Sequence, residues 1–237
     1  MNVAQVLNPN SLTLLNTRPS SSAAALDSLL QQNGMVSIPM PTLDIQYLPT
    51  ELPNQRFDKC IVTSAQVLKS FKKFHKKLSP DMAHKFFAIG QATQLAMELE
   101  GIVCEPIQRQ SFTSEALLAD KSFSDLFGKN ICILKGVGGR MHLKKTLVER
   151  GADVVEYECY QRCPEPFDHC LWNRFISSNY PVLLVSSLEA FESIKDNVDE
   201  FSSLFATICF SDRIKKVLIE NGLENIEVVA TQSNQGV

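Results

Sequence analysis

The segment LKGVGGR, residues 134 to 140, follows the apolar run Ile131, Cys132, Ile133 and places three glycines among four residues ahead of Arg140. Glycines in such a turn let backbone N–H groups approach an anion at the start of a helix, where the helix dipole also favours negative charge. Gly138 and Gly139 would present those N–H groups, and Arg140 would add a charge-assisted donor. The dinucleotide fingerprint is incomplete, because Gly136 and Gly138 stand at its first and third positions but Met141 occupies the sixth. Glu156 lies about twenty residues further on, where that fingerprint expects a ribose-binding acid. The Gly-Lys-Ser/Thr of the other common phosphate loop is absent. The same residues also read as a plain strand-to-helix turn.

Further polar residues recur at the ends of apolar runs. Arg18 follows the first such run, and Thr63, Ser64, Ser186 and Ser187 follow two others. Each hydroxyl could cap the next helix or contact a ligand, and the roles can coexist where a helix N-terminus faces an open site. Tyr160 is either amphipathic filler near a strand end or a phenol placed to donate a hydrogen bond, with Tyr157 as its neighbour and competitor. Cys159, Cys163, His169 and Cys170 form a cluster of possible metal ligands, but it contains no C-x-x-C pair and matches no common zinc spacing.

The elements that must carry these residues follow from periodicity. Short β-branched runs alternate with amphipathic segments along all 237 residues, the pattern of βαβ units and a mostly parallel sheet. Strands are expected at 12–16, 36–38, 59–62, 86–89, 102–104, 130–134, 153–157, 182–185, 207–210 and 226–229. The proline-punctuated PMPTLDIQYLPTELP reads as a linker between lobes. Two imperfect repeats appear: LLNTRPSSSAAALDSLLQQNGMVSIP parallels ILKGVGGRMHLKKTLVERGADVVEYE, and IVTSAQVLKSF parallels LVSSLEAFESI. The chain therefore reads A, B, A′, B′, and repetition alone leaves open whether A pairs with B or with B′. In the basic run KSFKKFHKKL, Phe71, Phe74 and Leu78 fall at helical spacing, so its lysines read as the wet face of an amphipathic helix.

Composition narrows the classes. With 44% hydrophobic and 21% charged residues and a net charge of −3, the chain reads as an ordinary globular protein with no electrostatic case for nucleic acid. No stretch approaches the roughly twenty apolar residues of a membrane span, and the start lacks a secretory pattern. Seven cysteines, mostly in apolar runs, suit reduced thiols and a cytoplasmic location.

The ordered set NTRP (16–19), VTSAQVL (62–68), AIGQAT (88–93), SEALLA (114–119), LKGVGGR and VVEYECYQR (154–162) resembles the uroporphyrinogen-III synthase family. The resemblance implies two similar α/β lobes, each a doubly wound parallel sheet of about five strands, joined by a two-strand hinge with a cleft between them. A would then pair with B′, so that residues 1–40 and 165–237 form one lobe, 54–158 the other, and 41–53 and 159–164 the hinge. It implies hydroxymethylbilane as substrate, an open chain of four pyrroles bearing eight carboxylates, and closure with loss of water and inversion of ring D. No metal or organic cofactor is implied. A monomer is expected, with transient contact with hydroxymethylbilane synthase as a possible partner.

By the same resemblance Tyr160 is the catalytic residue. Arg18, Thr63, Ser64, Thr93, Gly138, Gly139, Arg140, Ser186, Ser187 and Ser211 are the substrate contacts. The chain departs from the family pattern at 208–213, where Ile-Cys-Phe-Ser-Asp-Arg replaces the usual Ile-Gly-Pro-Thr-Thr-Ala. That departure keeps open a second reading, a non-catalytic tetrapyrrole- or small-ligand-binding protein on the same scaffold.

Overall fold

The computed structural model describes residues 12–52, 55–74, 77–105, 113–139, 141–230 and 236–237. In chain order the first elements are β1 (Leu12–Asn16), α1 (Ser20–Gln32), β2 (Val36–Pro39), β3 (Leu43–Tyr47), β4 (Phe57–Val62), α2 (Ala65–Phe74), β5 (Ala83–Ala88) and α3 (Gln91–Leu99). There follow α4 (Ser114–Leu118), β6 (Asn130–Gly136), α5 (His142–Glu149), β7 (Asp153–Pro164), α6 (His169–Ile176) and β8 (Tyr180–Val185). The last are α7 (Leu188–Glu192), α8 (Lys195–Val198), β9 (Ala206–Cys209), α9 (Asp212–Glu220) and β10 (Ile226–Val228).

Two compact units result, one running up to Ile45 and again from Cys163, the other Gln46–Arg162. The first holds the sheet β10-β9-β8-β1-β2, and the second sheet has the order β3-β7-β6-β4-β5. β1 pairs with β8 and β4 with β6, all parallel, which answers the question the repeats left open: A joins B′ and B joins A′. Backbone bonds from Glu165 to Thr42 and from Leu48 to Cys159 connect β3 and β7 in opposite chain directions, so this pair is antiparallel.

Strand alternation explains why both faces of the first sheet are covered. Leu15, Leu183 and Val185 pack with Trp172 and Phe175 of α6 on one side, while Leu14, Val182 and Leu184 pack with Leu26 and Leu30 of α1 on the other. In the second unit Ile61, Ile131 and Ile133 meet Leu143 and Leu147 of α5, together with Phe87, Leu117 and Phe123.

Three expectations need correction. Ile102–Cys104 is no strand and touches the sheet by one bridge, Phe86 to Cys104. Its place among the ten strands of the described residues is taken by β3, inside the segment read as a linker, where Leu43, Ile45 and Tyr47 alternate with Asp44 and Gln46 at strand period. α2 is described over Ala65–Phe74, and Leu78 is buried after a bend at Lys77 and not as a residue of the helix, while Phe74 is 39% exposed.

α4, which borders the site described next, is tied to α5 by Arg150, whose Nη1 donates to the carbonyls of Leu118 at 2.6 Å and Phe123 at 2.7 Å. Both bonds have a charged donor and a part-buried acceptor. Arg150→Met is expected to lose about 2–3 kcal/mol of stability in urea denaturation; a loss under roughly 0.5 kcal/mol would show that these bonds do not hold the segment.

Candidate active site

At the end of β6 the ladder with β7 slips. Lys135 is opposite Glu158 but Gly136 is opposite Tyr160, which leaves Cys159 as the extra residue of a bulge. Val137 N then donates to Tyr160 O at 2.7 Å and closes the ladder beyond the slip. The slip brings the phenol ring over a residue without a side chain. A Cβ on Gly136 would stand 2.7 Å from both Cε2 and Cζ of Tyr160 and 3.1 Å from its hydroxyl oxygen. Tyr160 is 3% exposed, and the Arg162 guanidinium carbon lies 5.7 Å from its ring centroid. The strand was expected to end at Tyr157; instead β7 continues to Pro164, and Tyr157 packs edge-on against Phe57 at 6.4 Å.

Beside this ring a cavity of about 450 Å³ opens within the second unit, and Thr63, Ser64, Gly138, Gly139 and Tyr160 all line it. These five expected residues thus come together. Gly138 and Gly139 have φ of 71° and 85°, a conformation that costs residues bearing a Cβ roughly 1–2 kcal/mol. The turn they form leads into α5, which begins at His142. Arg140 lies outside the described residues. Thr93 is 4% exposed in the first turn of α3 and is not part of the cavity lining.

The hydroxyls differ in what they have left to give. Ser64 Oγ accepts from Gln66 N at 3.2 Å, which uses a lone pair and leaves its proton available to an anion. Thr63 donates both its N–H and its hydroxyl to Leu134 O, at 3.0 and 3.2 Å, so its polar atoms clamp β4 to β6.

The charged part of the wall was not read from the sequence as a unit. Lys135 Nζ lies 3.2 Å from Glu156 Oε1, and Lys144 Nζ lies 3.1 Å from Oε2. Burial pushes the Glu156 carboxyl up, but hydrogen bonds and attraction from Lys144 and Lys135 together outweigh it and hold it below the ordinary carboxylate range. Both oxygens of Glu156 are thus engaged by ammonium groups, an ion pair that accounts for the carboxylate without the ribose its spacing suggested. The available signal was Lys135 at the end of the buried apolar run 131–134, and Glu156 after Val154 and Val155.

In the first unit the expected residues also stand at strand C-terminal ends. Ser187 caps α7 by accepting from Ala190 N at 3.1 Å, and Ser211 caps α9 by accepting from Ile214 N at 3.4 Å. Both keep a hydroxyl proton to donate. Ser186 follows β8 directly and is half-buried. Arg18 follows β1 with its guanidinium 5.8 Å from the Phe210 ring; burial lowers its pKa, Asp27 opposes the shift, and the group stays cationic. Asp212, in the segment that departs from the family pattern, occupies the first turn of α9, where a carboxylate complements the helix dipole.

All seven cysteines are free thiols. Burial pushes Cys159 up to about 12 and raises Cys60 as well, so neither is a ready thiolate. Among the described residues no group of three or more His, Cys, Asp and Glu is placed to hold a metal ion, and no helix is long and apolar enough to cross a membrane.

Gly136→Ala is expected to displace the tyrosine ring and cost about 1–3 kcal/mol, the usual range for overpacking. In a Tyr160→Ala background the same change should cost less than about 0.5 kcal/mol, because the clash has gone. Urea denaturation of the four proteins checks this, and equal costs in the two backgrounds would contradict the contact.

Comparison with known proteins adds three findings. The family model described as "Uroporphyrinogen-III synthase HemD" matches residues 24–236. Similar sequences include the uroporphyrinogen-III synthase of Salmonella typhimurium, 35% identical over 170 residues that cover 66% of this chain and 68% of that one. The Escherichia coli K12 enzyme of the same name is 26% identical, covering 95% of this chain and 98% of its own. Among solved structures, uroporphyrinogen-III synthetase from Helicobacter pylori 26695 aligns with a TM-score of 0.67 at 14% identity over 95% of both chains, a likeness of fold.

Proposed function

The chain belongs to the uroporphyrinogen-III synthase family, and from that premise we propose how its residues close hydroxymethylbilane into uroporphyrinogen III with loss of water and inversion of ring D. The observation that carries the reading is the phenol of Tyr160, buried over Gly136 in a cavity wall that also contains the Gly138–Gly139 turn. A cavity of about 450 Å³ suits part of a tetrapyrrole chain.

Tyr160 donates a hydrogen bond, directly or through a water, to the terminal hydroxyl of the substrate as it leaves. A proton passed from the phenol, or from a water it holds, lets the hydroxyl depart as water and leaves a conjugated azafulvene cation; the proton that the free α-carbon of ring D loses at the final closure restores the donor. Ring D attacks that cation through its own substituted carbon and forms a spiro intermediate. Fragmentation and reclosure then join ring D in the inverted sense. The unassisted chain closes without inversion, so the protein's main task is to hold one reactive geometry, and positioning supplies several kcal/mol of the barrier reduction.

Carboxylates on the substrate supply the handles for that positioning. The N–H groups of Gly138 and Gly139 and the Ser64 hydroxyl take carboxylate oxygens in the second unit, with Arg140 as a further cation. Thr63 shapes the wall, and Thr93 acts from the start of α3. In the first unit Arg18, Ser186, Ser187 and Ser211 are the corresponding contacts. The protein works as a monomer in the cytoplasm, where free thiols persist, and receives its unstable substrate by brief contact with hydroxymethylbilane synthase.

The purified protein, mixed with freshly generated hydroxymethylbilane and followed by oxidation and separation of the porphyrin isomers, is expected to give a type III excess. Type I alone at high protein concentration would instead leave a ligand-binding protein. Tyr160→Phe should lower kcat about 10- to 100-fold, at or below the low end for a positioned acid, because the hydroxyl leaves readily without help. Undiminished turnover would remove Tyr160 from the mechanism.

A further inference from the structure

The wall of the second unit's cavity carries one feature the proposed reaction has not used. Lys135 and Glu156 line the cavity and pair with each other at 3.2 Å, and Lys144 approaches the same carboxylate from α5 at 3.1 Å. Their side chains are 12%, 19% and 38% exposed. One carboxylate is therefore shared by two ammonium groups, and the cluster keeps one excess positive charge. Lys144 is wet enough to be solvated at modest cost. Lys135 is not, and its partial desolvation is compensated by a single carboxylate oxygen although its ammonium has three protons to donate. Lys144 is not itself a lining residue, and the charged groups that do line the cavity, Lys135, Arg162, Glu115 and Glu156, balance, so the surplus charge is the one that Lys144 brings to Glu156 from α5.

If the role were structural alone, one lysine would neutralise Glu156. The second leaves the cluster with one excess positive charge near the Gly138–Gly139 turn, a surplus that a bound anion would balance. We propose that Lys135 is a carboxylate-anchoring residue of this cavity, binding one acetate or propionate side chain of the tetrapyrrole. Glu156 is its positioning residue, and Lys144 is the counter-charge that keeps Glu156 ionised. The inference rests on the reading of the protein as a uroporphyrinogen-III synthase and extends it by naming a substrate contact. Lys135 sits one residue before the slip that seats Tyr160, so an anchor there fixes a pyrrole side chain close to the phenol.

Uroporphyrin III, the oxidised octacarboxylate, serves as a stable probe, with its octamethyl ester as the uncharged control. Titration by isothermal calorimetry is expected to show uroporphyrin binding weakened about tenfold or more by Lys135→Met and largely restored in Lys135→Arg. Any binding of the ester should not change. In the isomer assay Lys135→Met should raise KM about tenfold with kcat within about threefold of wild type. Glu156→Gln should weaken uroporphyrin binding in the wild-type background and add little in the Lys135→Met background, a coupling that a merely structural role would not produce. Thermal melts identify any variant that fails to fold, in which case Lys135→Gln replaces Lys135→Met. Unchanged uroporphyrin affinity in a folded Lys135 variant overturns the proposal. So does equal loss for the ester. Absence of type III product from the wild-type protein would instead overturn the enzymatic reading, leaving the anchoring role to be decided by the calorimetry.

Discussion

The one-residue slip between β6 and β7 is the constraint on which the site depends, because it sets Tyr160 opposite Gly136 and lets an aromatic ring lie where a side chain would otherwise stand. Parallel strands hold their partners in strict register, so a bulge is a means of changing which residue faces which. Here the extra residue is Cys159, a small buried thiol whose raised pKa keeps it inert. The ring takes its position from the register of the two strands, over Gly136, with the Arg162 guanidinium 5.7 Å from its centroid. A ring held in this way in the cavity lining suits a positioned donor to a leaving group.

Around that fixed ring the polar groups divide by what each has already given away. Capping serines accept from helix N–H groups and retain a proton, whereas Thr63 has given its hydroxyl proton to Leu134. Substrate carboxylates are acceptors only, so the capping serines suit them and the clamped threonine does so less. The same distinction explains how a helix cap and a ligand contact can be one residue. Shared negative charge at Glu156 serves a related end, as it holds two ammonium groups in place and leaves that cluster with one excess positive charge.

Much of this could be read in the chain before the fold was known. Buried parallel strands are continuous apolar runs, so β1, β4, β6 and β8 declare themselves, and glycines or hydroxyl residues at their ends mark the turns. The pairing of A with B′ came from resemblance and could not have come from local pattern, since β1 and β8 are brought together only by the whole topology. β3 escaped because Pro39, Pro41 and Pro49 frame an alternation only five residues long, and prolines read as punctuation outweighed it. The place of Tyr160 inside β7 escaped for a different reason. A register slip belongs to two strands at once, and neither strand's sequence announces it. Lys135 and Glu156 were likewise visible as charges, but their 3.2 Å contact exists only once β6 and β7 are paired.

The most direct test of the central claim, that the cavity beside the Gly136-seated tyrosine is where the tetrapyrrole is held, is a crystal structure of the protein soaked with uroporphyrin III. The account predicts density for at least one pyrrole ring in the cavity bounded by Ser64, Gly138 and Tyr160, with the phenol oxygen within about 3.5 Å of the ligand. Well-defined ligand density elsewhere, with this cavity empty and Tyr160 untouched, would contradict it.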